Sequence, residues 1–197
     1  CYLSLVGFMF INTRLMGIKI PLHINFEEVN LRFYVRHKSG NEWKRGVVFI
    51  KEIVPKPALT FVANVIYKEN YVTMPMKHDF EILPSTIKAT YEWKHQQSWN
   101  KIAVLAANNK QEIPLGSEVE FITEHYWGYT KLTEQSSSEY QVEHPRWLTY
   151  PVKDYDVNVN FKDVYGDQFE FLSSSKPVSV FLAEGSAIAV LPASVIK

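Results

Sequence analysis

Alternation of apolar and polar residues is the dominant pattern along this chain, and it predicts β-strands. In residues 28–36 every second side chain is apolar, so one face of the strand packs and the other carries a polar row. That row consists of Glu28, Asn30, Arg32, Tyr34 and Arg36. Residues 46–54 are apolar on both faces, which is typical of a central strand that is covered on both sides.

Turn-forming stretches between strand-like segments predict three antiparallel hairpins. They would join residues 86–94 to 99–107, residues 126–132 to 139–144, and residues 178–183 to 187–191. Most of the sheet structure is therefore expected to be antiparallel.

Two short helices are predicted between the strands. Pro57 suits a first helical position, and the residues up to position 66 are apolar around most of the helix, which predicts that this helix is buried. Ser117 and Glu120 fit a capping box, which predicts a second helix of about two turns that ends near His125.

The pattern as a whole predicts one mainly β (α+β) domain over residues 1–197. The chain has no internal repeat, low-complexity tract or long linker that would divide it. A closed antiparallel β-barrel, or a strongly curved sheet, with a few short helices is the simplest architecture for such a pattern.

Composition and charge exclude several classes of protein. The 197 residues include 21 basic and 21 acidic side chains, a balance that argues against a nucleic-acid partner. The longest apolar stretches, such as residues 2–11, are shorter than the roughly 20 residues that cross a membrane, so no membrane partner is expected. The sequence leaves a homo-oligomer open.

Cysteine usage bears on the cellular compartment. Cys1 is the single cysteine, so the fold must depend on its hydrophobic core without an internal disulfide, and a reducing, cytoplasmic compartment is expected. The chain opens in the middle of a strand-like pattern and without methionine, and we expect it to lack residues that precede it in a longer protein.

Common catalytic and cofactor motifs are absent from the sequence. It has no Gly-rich phosphate loop, nucleophile elbow, His-Glu-x-x-His or Cys-x-x-Cys motif, and its six histidines are scattered singly. No cofactor and no metal site are therefore predicted.

Lys56 is the first candidate for chemistry. It lies between Pro55 and Pro57 at the start of the apolar helix, where the helix dipole and poor solvation both disfavour an ammonium ion. A neutral lysine amine can attack a carbonyl and form a Schiff base. The alternative is a solvated lysine whose ammonium reaches water, which is the usual state of lysines at helix starts.

The strand residues offer further candidates. Lys51 and Glu52 point to opposite faces of an otherwise apolar strand, so one of them faces inward or both lie near water at the strand end. The polar row of residues 28–36 is either the wet face of an open sheet or the lining of a ligand cavity. In a cavity, Arg32 would bind a carboxylate while Glu28 transfers a proton, with Asn30, Tyr34 and Glu52 as further ligand-binding residues.

Several segments together resemble a known family. They include Phe-Glu-Glu-Val-Asn-Leu-Arg at 26–32, Val-Pro-Lys-Pro-Ala-Leu at 54–59 and Glu-His-Pro-Arg-Trp at 143–147. The resembling stretches are residues 1–14, 26–32, 46–59 with 71–76, and 124–130 with 143–147. They are similar to the YqjF-like domain of unknown function, which is grouped with the acetoacetate decarboxylase-like proteins and their closed, cone-like β-barrel with an internal cavity.

The resemblance implies roles for two residues. Glu28 is similar to the cavity glutamate of the decarboxylases, and Lys56 falls near their Schiff-base lysine. The decarboxylases have a second lysine directly after the first, where this chain has Pro57, and the spacing between Glu52 and Pro55 is shorter than in their motif.

Three functions follow from these observations. The preferred one is a small-molecule-binding protein for an anionic or carbonyl-bearing ligand, with Glu28, Arg32 and Lys56 at the site. The alternative is a Schiff-base decarboxylase or related lyase in which Lys56 is the nucleophile and Glu28 handles the proton. The third is a structural or partner-binding protein that presents Trp127 and Trp147 to another chain.

Overall fold

The computed structural model describes residues 2–14, 19 and 23–197, with the side chains of residues 66 and 67 excepted. Cys1 and the side chain at position 66 lie outside this description. No helix in the described part is long and apolar enough to cross a membrane.

Strands dominate the described part of the chain. They are β1 Leu3–Phe10, β2 Phe26–Ser39, β3 Glu42–Val54, β4 Tyr71–Thr73, β5 Met76–Ile82, β6 Thr86–His95, β7 Ser98–Ala107, β8 Gln111–Glu112, β9 Trp127–Thr133, β10 Ser136–Glu143, β11 Leu148–Tyr150, β12 Val152–Asn158, β13 Leu182–Ala183, β14 Ala189–Val190 and β15 Ser194–Ile196. The helices are α1 Pro57–Val62, α2 Glu118–Thr123 and α3 Phe161–Tyr165, with a π-helical turn at Ala63–Tyr67 and a 3-10 segment at Asp167–Ser174.

The largest sheet has eight strands in the order β1-β2-β3-β9-β10-β14, with β4 also paired to β3 and β15 to β10. We call it the main sheet. Strand β3 pairs antiparallel with β2 and parallel with both β4 and β9. The central position predicted for residues 46–54 is therefore confirmed.

A second sheet, β12-β7-β6-β5, packs against one face of the main sheet. The shared core includes Leu31 and Ile53 from the main sheet and Tyr91 and Trp93 from the second. At Gly7 the sheets are so close that a Cβ atom would lie 2.7 Å from the Tyr91 ring. A small third sheet has the order β13-β11-β8.

The mainly β fold with a few short helices is confirmed, but the closed barrel is wrong for the described residues. None of their three sheets closes on itself, because the outer strands of the main sheet, β1 and β14, each pair on one side only. The protein buries its hydrophobic residues by stacking open sheets, and that needs no closure.

Two of the three predicted hairpins are confirmed, namely β6–β7 and β9–β10. The third is wrong, because β13 pairs with β11 and β14 pairs with β10. Glu184, between these short strands, accepts a hydrogen bond from the Leu148 amide and forms an ion pair with Lys110. These contacts direct the chain toward β11 and away from hairpin pairing.

Helix α1 forms where it was predicted, but it is not buried. None of its residues is buried, and Phe61 is 68% exposed. The helical segment is attached along one side only, where the Thr60 and Thr73 hydroxyls are 2.7 Å apart. Helix α2 also forms as predicted, and its N-cap Ser117 accepts a hydrogen bond from the Glu120 amide at 3.1 Å.

Candidate functional site

The polar residues of β2 share one face of the main sheet, because alternate residues of a strand point the same way. The pairing register extends this face to neighbouring strands. Asn30 lies directly opposite Glu52 of β3, and Glu52 lies opposite Tyr71 of β4. Three polar side chains from three strands therefore lie side by side on what we call the polar face.

A β-bulge decides which residue of β3 joins this face. The register shifts between Leu31 and Arg32, so Lys51 lies opposite Leu31 while Phe49 lies opposite Arg32. As a result Phe49 and Glu52 both lie on the polar face, although strict alternation would place them on opposite faces of the sheet.

Lys51 points to the opposite face of the sheet. Its Nζ donates a hydrogen bond to the carbonyl of Val164 and lies 5.7 Å from the centre of the Tyr165 ring. Partial burial lowers the pKa of Lys51. The inward-facing cation of this segment thus caps the end of α3, away from the polar face.

Glu28 is the most deeply buried acid on the polar face, with 1% of its surface exposed. Its Oε1 accepts a hydrogen bond from Asn30 Nδ2 at 2.9 Å, and its Oε2 accepts one from the Tyr71 hydroxyl at 2.9 Å. Burial raises the pKa of Glu28 to about 7, against the opposing effects of these hydrogen bonds and of the Arg32 charge. Glu28 can therefore gain or lose a proton near neutral pH.

Two further carboxyl groups lie beside Glu28. Burial and the charges of Glu28 and Glu69 raise the pKa of Glu52 well above its ordinary value. Burial also raises the pKa of Glu69, whose Oε2 accepts a hydrogen bond from the Thr130 hydroxyl at 2.9 Å. Crowding and desolvation thus disfavour the charged form of both acids.

Two tyrosines complete this acidic cluster. Burial, together with the charges of Glu28 and Glu52, raises the pKa of the Tyr71 hydroxyl well above its ordinary value. Burial and the charges of all three glutamates do the same for the Tyr140 hydroxyl. Tyr140 lies against Gly128 so closely that a Cβ atom at position 128 would overlap the phenol ring. Gly128 is thus required for the position of Tyr140.

Basic and aromatic residues lie at the other end of the polar row. The Arg32 guanidinium is 5.6 Å from the centre of the Tyr34 ring, and the Tyr34 hydroxyl donates to Ser4 Oγ at 2.9 Å. His125 packs between the rings of Tyr34 and Phe121, at centroid distances of 4.7 and 4.8 Å. Burial and nearby arginines lower the pKa of His125 to about 4, so it is neutral.

Several buried polar atoms of this face have no hydrogen-bond partner among the described residues. They are Asn30 Oδ1, Arg32 Nε, Glu52 Oε2, Glu69 Oε1 and His125 Nδ1. Buried polar groups in folded proteins are nearly always hydrogen-bonded, so each exception in this cluster needs an explanation.

The structure brings together some of the sequence-predicted site residues. Glu28, Asn30 and Glu52 form one cluster, with Arg32 near enough to affect the charge of Glu28. Tyr34 is engaged with Ser4 instead. Lys56 is the half-buried N-cap of α1, and among the described residues no hydrogen bond or ion pair joins its side chain to Glu28.

Sequence reasoning missed Tyr71, Glu69, Thr130, Tyr140 and His125. Tyr71 reaches the site because β4 pairs parallel with β3 after the helical crossover, and the Asn64 side chain fixes it through two 2.8 Å hydrogen bonds to the Tyr71 backbone. A crossover helix between strand-like segments is the available signal for such parallel pairing. The described residues contain no group of three His, Cys, Asp or Glu side chains arranged to hold a metal ion.

Comparison with known proteins gives a family and a fold. A family model described as DUF2071, uncharacterized conserved protein (COG2071), matches residues 1–187. The crystal structure of acetoacetate decarboxylase from Legionella pneumophila is similar, with a TM-score of 0.51 and 14% sequence identity over 99% of this chain and 84% of that chain. The search of curated proteins gives no match.

Proposed function

This chain belongs to the DUF2071 family of uncharacterized conserved proteins, and we propose that it binds a small organic acid or carbonyl compound on the polar face of its main sheet. The observation that carries the proposal is the group of buried polar atoms without partners around Asn30, Arg32 and Glu52. A ligand with oxygen atoms would supply partners that the protein itself does not.

The side chains suggest a division of roles. Arg32 has an unpartnered Nε and is the arginine of the row whose charge acts on Glu28, so it would bind the carboxylate of the ligand. Glu28, with a pKa of about 7, would donate a proton to a ligand carbonyl or remove one from the adjacent carbon. Asn30 and Tyr71 hold Glu28 in position for either transfer.

Calorimetric titration with butyrate and acetoacetate tests the proposal. Arg32→Gln should weaken the binding of either acid about tenfold or more, because hydrogen bonds to charged groups contribute about 1.5–3 kcal/mol. Arg36→Gln is the matched control, since Arg36 follows on the same side of β2 but is exposed and lies against Trp43. The proposal is wrong if the folded parent binds neither acid, or if both variants lose the same affinity.

A Schiff-base decarboxylase or related lyase is the second candidate, and the fold shared with an acetoacetate decarboxylase favours it. Lys56 would be the nucleophile and Glu28 the proton-handling partner. Borohydride reduction with acetoacetate, followed by peptide mass spectrometry, should then give an adduct on Lys56. Lys51 is the internal control, because its amine is engaged by the Val164 carbonyl on the opposite face. A folded sample without an adduct on Lys56 would eliminate this candidate.

A further inference from the structure

We propose that the ligand carries an ammonium group as well as its acid group, so that this site recognises a short amino acid. The inference rests on the proposed function and deepens it. It starts from the kind of unpaired atom on the polar face: beside the nitrogens Arg32 Nε and His125 Nδ1, the unpaired atoms of Asn30, Glu52 and Glu69 are oxygens.

The oxygens of Asn30 and Glu52 are placed to act together. Asn30 is fully buried, and its Nδ2 already donates to Glu28, so the Oδ1 atom of the same amide is free to accept. Glu52, 3% exposed, lies directly across on β3, and its Oε2 is also unpaired. An ammonium has three donors, which suits such a pair of facing acceptors.

The charge balance of the cluster points the same way. The charge of Glu69 raises the pKa of Glu28, and the charges of Glu28 and Glu69 raise that of Glu52, while the Arg32 charge lowers the pKa of Glu28. Burial raises the pKa of all three acids, so their charged forms are disfavoured without a further cation nearby. A bound ammonium would favour the ionised carboxylates, so its binding should release protons to the solvent.

The spacing along β2 limits the length of the ligand. Arg32 and Asn30 are successive residues on one face of the strand, about 7 Å apart. A ligand that reaches from Arg32 to Asn30 and Glu52 therefore carries its carboxylate and its ammonium only a few bonds apart. This favours a short amino acid over a diamine or a long-chain acid.

The test compares four acids that differ in one substituent: butyrate, acetoacetate, β-hydroxybutyrate and β-aminobutyrate. We expect calorimetry to show β-aminobutyrate binding about tenfold or more tightly than butyrate, as one added charge-assisted hydrogen bond implies. Because the buffer takes up the released protons, the measured binding heat of β-aminobutyrate should become more exothermic in buffers of higher ionisation enthalpy.

Two variants locate the effect. Glu52→Gln should remove the advantage of β-aminobutyrate, so that the ratio of its affinity to the affinity for butyrate, both measured on this variant, falls to about one. Glu27→Gln is the matched control, because Glu27 is also buried but belongs to the opposite face of β2, where it pairs with His78. It should keep the full advantage.

The outcomes separate this inference from the proposed function. If butyrate or acetoacetate binds but β-aminobutyrate binds no more tightly, the ammonium site is wrong and the organic-acid site stands. If Glu52→Gln keeps the advantage, the assignment to this cluster is wrong. If a cooperatively folded parent binds none of the four acids, both proposals fall.

Discussion

Replacing Glu28 by glutamine tests the acidic cluster through the pH dependence of stability. Burial raises the pKa of Glu28 from 4.5 to about 7 in the folded protein. Folding therefore favours the protonated carboxyl. The stabilisation is fully present below the unfolded pKa and is lost as the pH rises through the folded one. Glutamine resembles the protonated acid and cannot ionise, so the variant escapes this loss.

The magnitude follows from the shift. A pKa raised from 4.5 to about 7 corresponds to about 3 kcal/mol of unfolding free energy, since each pKa unit is worth about 1.4 kcal/mol. Most of the change, about 2 to 3 kcal/mol, falls between about pH 5 and about pH 8. This is a large part of the stability of an ordinary domain.

The comparison must be made between the parent and the variant at each pH. His125 acts in the opposite direction, because its pKa is lowered to about 4 and its contribution is lost as the pH falls. In the difference between parent and variant the effect of His125 cancels. The free-energy gap in favour of Glu28→Gln should therefore widen from acid to alkaline pH.

Urea denaturation followed by circular dichroism, at about pH 5 and about pH 8, measures the difference in unfolding free energy between parent and variant. Tyr71→Phe is a variant of opposite effect, because it removes a hydrogen bond that stabilises the ionised Glu28. The unfolding free energy of this variant should therefore fall more steeply with pH than that of the parent. A gap that stays constant between the two pH values, or that narrows, would refute the reasoning that Glu28 titrates in a desolvated site.

Other substitutions test the surrounding structure. Ser117→Ala should lower the unfolding free energy by about 1 kcal/mol because α2 loses its N-cap, as thermal denaturation would show; an unchanged midpoint would contradict the cap. Lys51→Met should cost about 1 kcal/mol in urea denaturation through the lost hydrogen bond to Val164, yet leave the affinity for acids unchanged. Gly128→Ala should cost about 1–3 kcal/mol by overpacking against Tyr140, and adding Tyr140→Ala should recover part of that loss; additive losses would argue against the contact.

The sequence predicted the elements of local origin. The alternation over residues 28–36 identified the polar face of β2, and the capping box identified α2, because both depend on residues close in the chain. Whether Lys51 or Glu52 faces the site could not be predicted, since the bulge opposite Leu31 and Arg32 changes the alternation of β3. A bulge depends on pairing with another strand, and no single-strand pattern reports it.

The non-local parts of the site could not be predicted either. Tyr71 joins it through parallel pairing to β3, Glu69 lies just before that strand, and Tyr140 joins through the close approach at Gly128. The exposure of α1 contradicts its apolar composition, because only one side of that helix is attached to the sheet. The open ends of the main sheet likewise depend on strand pairings that are distant in sequence.

In strand β2, residues of two different surfaces alternate along the chain. Val29 and Leu31 belong to the hydrophobic core, while Glu28, Asn30 and Arg32 form the opposite, polar surface. A substitution on one of these faces changes the packing of the other face little, because neighbouring side chains of a strand point in opposite directions. The polar surface can therefore change one codon at a time, while the hydrophobic core that holds the strand in place stays intact.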